Sequence, residues 1–165
     1  MGSRSYGNII RRGVHNSITV GKYCSLAAGL VIDGGFSHNT KFISTYPFNV
    51  NFNQCSYLTG HPTWKGDVII GNDVWIGEDC LIMSGVTIGD GSVIGARSIV
   101  TKDIDPYSIN VGSPSRKVKQ RFSDNQISDL LKIKWWDWEE DKIIENAHLL
   151  MSEDIDLFIE KHKIF

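Results

Sequence analysis

Residues 64–104 read WKGDVIIGNDVWIGEDCLIMSGVTIGDGSVIGARSIVTKDI, and their spacing decides the fold. A large aliphatic residue returns at every sixth position: Ile70, Ile76, Ile82, Ile88, Ile94 and Val100, with Trp64 one step ahead in the same frame. Gly71, Gly77, Gly89 and Gly95 follow four of these directly, and Val74, Cys80, Val86, Ser92, Ser98 and Ile104 stand four places after each. An α-helix repeats about every 3.6 residues and a strand about every 2, so neither sustains a strict six. A hexad period marks a parallel β-helix, in which short strands stack coil upon coil and each coil buries its regular aliphatic position against its neighbours. Glycine supplies the backbone freedom that the corners need.

The same six-step pattern appears earlier at Val14, Val20, Leu26 and Ile32, with Ile18, Cys24 and Leu30 four places on. The two runs read as one solenoid interrupted by an inserted loop, residues 34–63. That loop holds Gly34-Gly35, His38, the run Ser44-Thr45-Tyr46-Pro47-Phe48, Asn49, Asn51 and Asn53, and Gly60-His61-Pro62. A loop of this length in a compact fold is functional or disordered, and its aromatic residues argue for order. Residues 1–12 read as an irregular lead-in with at most one imperfect coil. Beyond the repeats, Asp105-Pro106-Tyr107 and Gly112-Ser113-Pro114 punctuate an exit strand, followed by basic Arg116, Lys117, Lys119 and Arg121. Ser123 with Gln126 predicts a capping box, with Ile127, Leu130 and Leu131 on one helical face. Two more helices are expected near 139–151 and 152–161, the first with Ile143, Ile144, Ala147 and Leu150 as its apolar stripe. The reading is therefore all-β with a helical tail: residues 1–122 form the β-helix with its loop, and residues 123–165, which include Trp135, Trp136 and Trp138, form a tail expected to cap the open end of the solenoid.

The bulk numbers exclude several classes. With 165 residues the chain can build one domain with a real core. A net charge of -2, from 17 basic and 19 acidic residues, gives no field that would draw nucleic acid or an anionic membrane. No apolar run spans a bilayer and no signal-peptide pattern opens the chain. Cys24, Cys55 and Cys80 form no paired framework, which fits reduced thiols in a cytoplasmic protein; Cys24 and Cys80 fall on inward positions of the repeat.

The stretches Lys65–Trp75 (KGDVIIGNDVW), Gly85–Pro106 and Gly112–Phe122 resemble the hexapeptide-repeat acyltransferases. The STYPF run and Lys134-Trp135-Trp136 are similar to the xenobiotic acetyltransferase branch, which modifies chloramphenicol or streptogramins, and to its sugar-modifying relatives. The resemblance extends from about Gly21 to Leu150. It implies a left-handed β-helix, a homotrimer with active sites between subunits, and acetyl-CoA as the donor. Two departures stand out: Ser115 occupies a place where the family often has alanine, and the N-terminal part is short.

Acetyl transfer from a thioester to a hydroxyl needs a base that takes the hydroxyl proton. A neutral imidazole, with an unperturbed pKa near ~6.5, suits that role. In the resembled family the catalytic histidine stands where His38 stands relative to the STYPF run, so His38 is the expected base; as a residue type alone it would read as an ordinary loop histidine. His61 echoes the histidine-proline of the galactoside and maltose branch and is expected, with Tyr46, to line the acceptor site. His15 reads as exposed at a coil face, and His148 and His162 as solvent-facing in the tail. Backbone amides are the natural oxyanion donors, with the turns around Gly77, Gly85 and Gly95 as candidates. The resemblance also carries Trp75, Ala96, Thr101 and Lys102 into the CoA groove, together with Arg116 and Lys119. Lys117 joins them as a nearby cation for the phosphates. For Trp75, core or interface packing is an equal alternative. No spaced Cys/His/Asp set suggests a metal, and thioester transfer needs none. Direct transfer through a ternary complex is expected, because no Ser or Cys carries a nucleophile motif. The acceptor reads as a hydroxyl or amine of a sugar or an antibiotic, with a lean toward a sugar. A non-catalytic β-helix scaffold is the competing reading.

Overall fold

A computed structural model describes residues 1–163, so the last two residues of the expected tail lie outside the described residues. Its short strands are β1 (Ile9–Arg12), β2 (Ile18–Val20), β3 (Ser25–Leu26), β4 (Leu30–Asp33), β5 (Val68–Ile70), β6 (Trp75–Ile76), β7 (Leu81–Ile82), β8 (Thr87–Ile88), β9 (Val93–Ile94), β10 (Ile99–Val100), β11 (Ser108–Val111) and β12 (Arg116–Gln120). They form three sheets, in orders β1-β4-β7-β10, β2-β5-β8 and β3-β6-β9-β11-β12. Every pairing is parallel except that of β11 with β12. Ile82 pairs with Val100, and 100 minus 82 is 18, or three hexads, so each coil contributes one strand to each of three faces. Ile32 pairs with Ile82 across the insertion, so the stack resumes in register after it.

The hexad residues from Val20 to Val100 build the interior. Leu26, Ile76 and Ile94 are stacked behind one face, and Ile32, Ile82 and Val100 behind another, all nearly or fully buried. At the C-terminal end the second inward position becomes serine. Ser92, Ser98 and Ser108 stay satisfied because each hydroxyl donates to the carbonyl three residues back, at 2.5, 2.7 and 2.6 Å. The two frame residues at the margins behave differently. Val14 is 76 % exposed and Trp64 49 % exposed, because each lies in a link where the chain is leaving or rejoining a coil.

The corner between the β2-β5-β8 sheet and the β3 sheet is built the same way in four coils. Tyr23, Asp73, Gly91 and Tyr107 occupy it one above another, with φ of 59°, 54°, 67° and 55°. Beside them Asn72 ties three coils: its side-chain oxygen accepts the Lys22 N–H at 2.8 Å, and its own N–H and Nδ2 donate to Asp90 at 2.6 and 2.9 Å.

The tail comprises α2 (Asp124–Ile133), a 3-10 turn (Trp135–Asp137), α3 (Glu140–Leu150) and α4 (Ile155–His162). The expected capping box is present at Ser123 and Gln126. The tail does not cap the open end. It runs down the corner column, from Phe122 against Tyr107 in the last coil to Trp135 against Tyr23 (5.0 Å between centroids), Asp137 paired with Lys22, and Glu140 paired with Arg4. The aromatic side chains it carries need apolar partners, and the corner tyrosines provide them; strand β12, folded back on β11, covers the last coil instead. In α3 the expected stripe is rotated: Ile144 is exposed, whereas Asn146 and Leu149 are buried. His162 is not solvent-facing: it packs on Trp138 and Phe158, and its Nε2 lies 3.1 Å from Asn146 Oδ1.

Candidate functional site

The inserted loop leaves and rejoins the solenoid through a narrow neck. Ser37 and Thr63 pair as an antiparallel bridge, the two N–H groups donating to the opposite carbonyls at 3.1 and 2.8 Å. Below it His15 stacks on Trp64 at 4.9 Å and meets Phe36 edge-on at 5.6 Å, so this histidine anchors the neck. Gly35 is required where the chain leaves the coil: its φ is +89°, and a Cβ there would lie 2.4 Å from the Trp64 Cβ.

Because Ser37 faces Thr63, the residues just beyond the bridge are brought together. The rings of His38 and His61 lie 4.5 Å apart at 62°. His38 is exposed, and its Nδ1 is 2.6 Å from the carbonyl oxygen of Thr45. A carbonyl can only accept, so Nδ1 carries the hydrogen and the Nε2 lone pair is free. His61 is held by Asn49, whose amide donates to the His61 carbonyl at 2.9 Å. Desolvation, then the neighbouring His38, lowers the His61 pKa and favours its neutral form. Tyr46 packs edge-on against Phe48 at 5.0 Å. With Phe42, Leu58 and His61 these rings line a hollow of about 210 Å³ beside the histidine pair.

The expected donor residues are distributed over the prism. Trp75, 57 % exposed, lies in one row with Val93, Ile109 and Lys119, so Trp75 and Lys119 are three strand spacings apart, about 14 Å. Arg116 and Lys117 share β12 with Lys119, and Lys117 pairs with Asp105 at 3.2 Å. Ala96 is exposed at a corner. Thr101 and Lys102 follow β10, and Thr101 lines a second hollow of about 210 Å³ with Ser37 and Trp64 at the foot of the neck. Within one chain, Thr101 is thus gathered near His38, while Trp75 and the β12 cations lie on another face.

In the turns around Gly77, Gly85 and Gly95, the glycine N–H groups themselves donate to the carbonyls of Ile94, Gly66 and Asn110 in adjacent coils, so these three amides are committed to the coil ladder. Sequence reading missed Thr45, which orients the His38 ring, and Asn49, which holds the His61 backbone. Thr45 acts through its carbonyl, which side-chain identity does not encode; Asn49 sits among loop asparagines that gave a signal only as a group. Among the described residues, no group of three or more His, Cys, Asp or Glu could hold a metal ion, and no helix is long and apolar enough to cross a membrane.

Comparison with known proteins gives a consistent pattern. The family profile for bacterial transferase hexapeptide, six repeats, matches residues 67–102. A probable macrolide acetyltransferase of Lysinibacillus sphaericus is 44 % identical over 146 residues, covering 85 % of this chain and 80 % of the relative. A chloramphenicol acetyltransferase of Morganella morganii is 41 % identical over 85 % of this chain and 69 % of its own length. A virginiamycin A acetyltransferase of Staphylococcus aureus is 38 % identical over 92 % and 70 %. Among solved structures, a mutant of AntD, an N-acyltransferase from Bacillus cereus in complex with dTDP and coenzyme A, superposes with a TM-score of 0.56 at 24 % identity over 77 % of this chain and 64 % of that one, a likeness of fold.

Proposed function

The chain belongs to the hexapeptide-repeat acetyltransferases, in their xenobiotic branch, and is an acyl-CoA-dependent enzyme; on that premise we propose that it moves the acetyl group of acetyl-CoA to a hydroxyl of a small xenobiotic acceptor, with His38 as general base. The observation that carries this reading is the Thr45 carbonyl on His38 Nδ1, which fixes the tautomer with Nε2 ready to accept a proton. Nε2 takes the hydroxyl proton as that oxygen attacks the thioester carbonyl. The C–S bond then breaks, and the imidazolium returns the proton to the departing thiolate. Tyr46 and His61 border the acceptor hollow. Its lining by Phe42, Tyr46, Phe48 and Leu58 suits an apolar antibiotic better than a sugar, and the antibiotic names of the relatives favour the same choice.

The finer features belong to the same reading. The coil sense is left-handed, the β-helix (1–122) and tail (123–165) are the two working parts, and the three free thiols suit a cytoplasmic setting. The donor lies along the Trp75–Lys119 row and the corners at Ala96 and Thr101-Lys102, its phosphates met by Arg116, Lys117 and Lys119. The active form is a homotrimer, in which the donor groove of one subunit meets the His38 neck of the next. Supporting this, Ile10, Val31, Leu81 and Ile99 run in one aliphatic row down the outside of the β1-β4-β7-β10 sheet, a face that a second copy would cover.

The test is thiol release from acetyl-CoA with chloramphenicol, a streptogramin, a macrolide and a nucleotide sugar. Turnover is expected with at least one antibiotic. His38→Ala is expected to lose roughly a hundredfold or more while keeping its oligomeric mass. Turnover with the nucleotide sugar alone would move the acceptor to the sugar class, and unchanged turnover in His38→Ala would remove the proposed base.

A further inference from the structure

The hollow in the inserted loop and the base proposed for it are joined by one side chain. His61 lines the hollow together with Tyr46, Phe48 and Leu58, whereas His38 does not. The His61 ring in turn lies against the His38 ring, centroids 4.5 Å apart at 62°. An acceptor seated in the hollow with its reactive hydroxyl at His38 therefore brings the atoms next to that hydroxyl past His61. The two rings are held differently. His38 has its Nδ1 committed to the Thr45 carbonyl at 2.6 Å, which leaves one free nitrogen. His61 is half-buried and fixed through its main chain, its carbonyl accepting from Asn49 Nδ2 at 2.9 Å, while no hydrogen bond among the described residues reaches its ring nitrogens. Desolvation and the neighbouring His38 both favour the neutral ring, which offers one donor and one acceptor. Packing against Tyr46, Phe48 and Leu58 would be served as well by an apolar ring. An imidazole at this place has a use for its nitrogens only when a polar group of the acceptor meets them.

We propose that His61 determines acceptor specificity, selecting a molecule that carries a second hydroxyl on the carbon next to the reactive one, a vicinal diol. The inference rests on the reading of His38 as base and adds to it the identity of the neighbouring group. His38 Nε2 takes the proton of the first hydroxyl while a His61 ring nitrogen bonds the second. Either tautomer of His61 serves, since a hydroxyl both donates and accepts. A lone alcohol of the same shape fills the hollow but strips water from the His61 nitrogens without replacing it, and a site built to bond a hydroxyl penalises the analogue that lacks it.

The experiment measures thiol release from acetyl-CoA by the whole chain near neutral pH with styrene glycol and with 2-phenylethanol, which share the ring and the primary hydroxyl and differ in the second hydroxyl alone. Wild type is expected to favour the diol about tenfold in kcat/KM. His61→Phe keeps a ring and deletes both nitrogens. It is expected to bring the diol-to-alcohol ratio close to one, with the loss falling on the KM of the diol. His61→Gln restores a donor and an acceptor and is expected to recover roughly threefold of that preference. A wild-type ratio near one, or a ratio that His61→Phe leaves unchanged while both rates fall together, overturns the inference and makes His61 a packing residue. Absence of diol turnover by wild type overturns it as well. The reading of His38 survives that result if an antibiotic is still acetylated and His38→Ala abolishes the turnover.

Discussion

Asp73 shows how much one side chain's surroundings decide. Its usual carboxylate pKa of 3.8 rises to about 6, chiefly through burial, against the pull of Arg121. A raised acid binds its proton more tightly folded than unfolded. Its contribution to stability is therefore most favourable below about 4 and is lost as pH rises through about 6. Asp73→Asn keeps a residue tolerant of the left-handed region and removes the charge. It is expected to raise the thermal midpoint near neutral pH and to make no difference near pH ~4; an equal shift at both pH values would refute the assignment. At this scale the sequence was legible wherever a residue's role is carried by its own side chain in the repeat: Ile76, Ile82 and Ile94 are fully buried, as their hexad positions require. Residues acting through backbone or tertiary neighbours were not legible. The Thr45 carbonyl, the room that Gly91 leaves for the Tyr107 ring and the stack of His15 on Trp64 each depend on a partner distant in sequence.

Between elements, the corners hold the coils as firmly as the strands do. Asn72 accepts from the coil before it and donates to the coil after it. Asn72→Ala would leave the Lys22 N–H without its acceptor, and should cost about 1–3 kcal/mol in denaturant unfolding. Ser123→Ala removes a helix cap on an exposed turn and should cost about 1 kcal/mol. A smaller loss at Asn72 than at Ser123 would mean that water replaces the corner ladder. The strands could be read because a six-residue period has one structural solution, and the cap because its four-residue pattern is local. The tail's placement could not. Helix α3 buries Asn146, whose amide donates back to the Lys142 carbonyl at 2.8 Å and whose oxygen meets His162, so docking and hydrogen bonding override the hydrophobic stripe that ends with Ile144 in solvent. Likewise nothing local marks Tyr23 and Tyr107 as the column on which that tail docks, because their alignment exists only once the coils are stacked.

For the whole molecule, the proposed homotrimer raises the question of which face of the prism would meet another copy. Apolar residues precede the frame position on every face: Ile69 on one, Trp75 and Val93 on the second, Leu81 and Ile99 on the third. Sequence periodicity alone therefore does not tell the faces apart, whereas strand register does. The third face carries an unbroken aliphatic row, Ile10, Val31, Leu81 and Ile99; the first alternates Thr19, Ile69 and Thr87; the second runs from Ser25 to Lys119 and is reserved in the proposed function for the donor. Leu81→Asp would put a carboxylate in the middle of the aliphatic row while leaving the buried Ile82 column untouched. The expected result is a shift from trimer to monomer in light scattering, an unchanged β-rich circular dichroism spectrum, and loss of most acetyl-CoA turnover, because the His38 neck and the Trp75–Lys119 row would no longer meet. A Leu81→Asp trimer with full activity would move the interface to another face, and a wild-type monomer with full activity would require both halves of the site to be assembled within one chain.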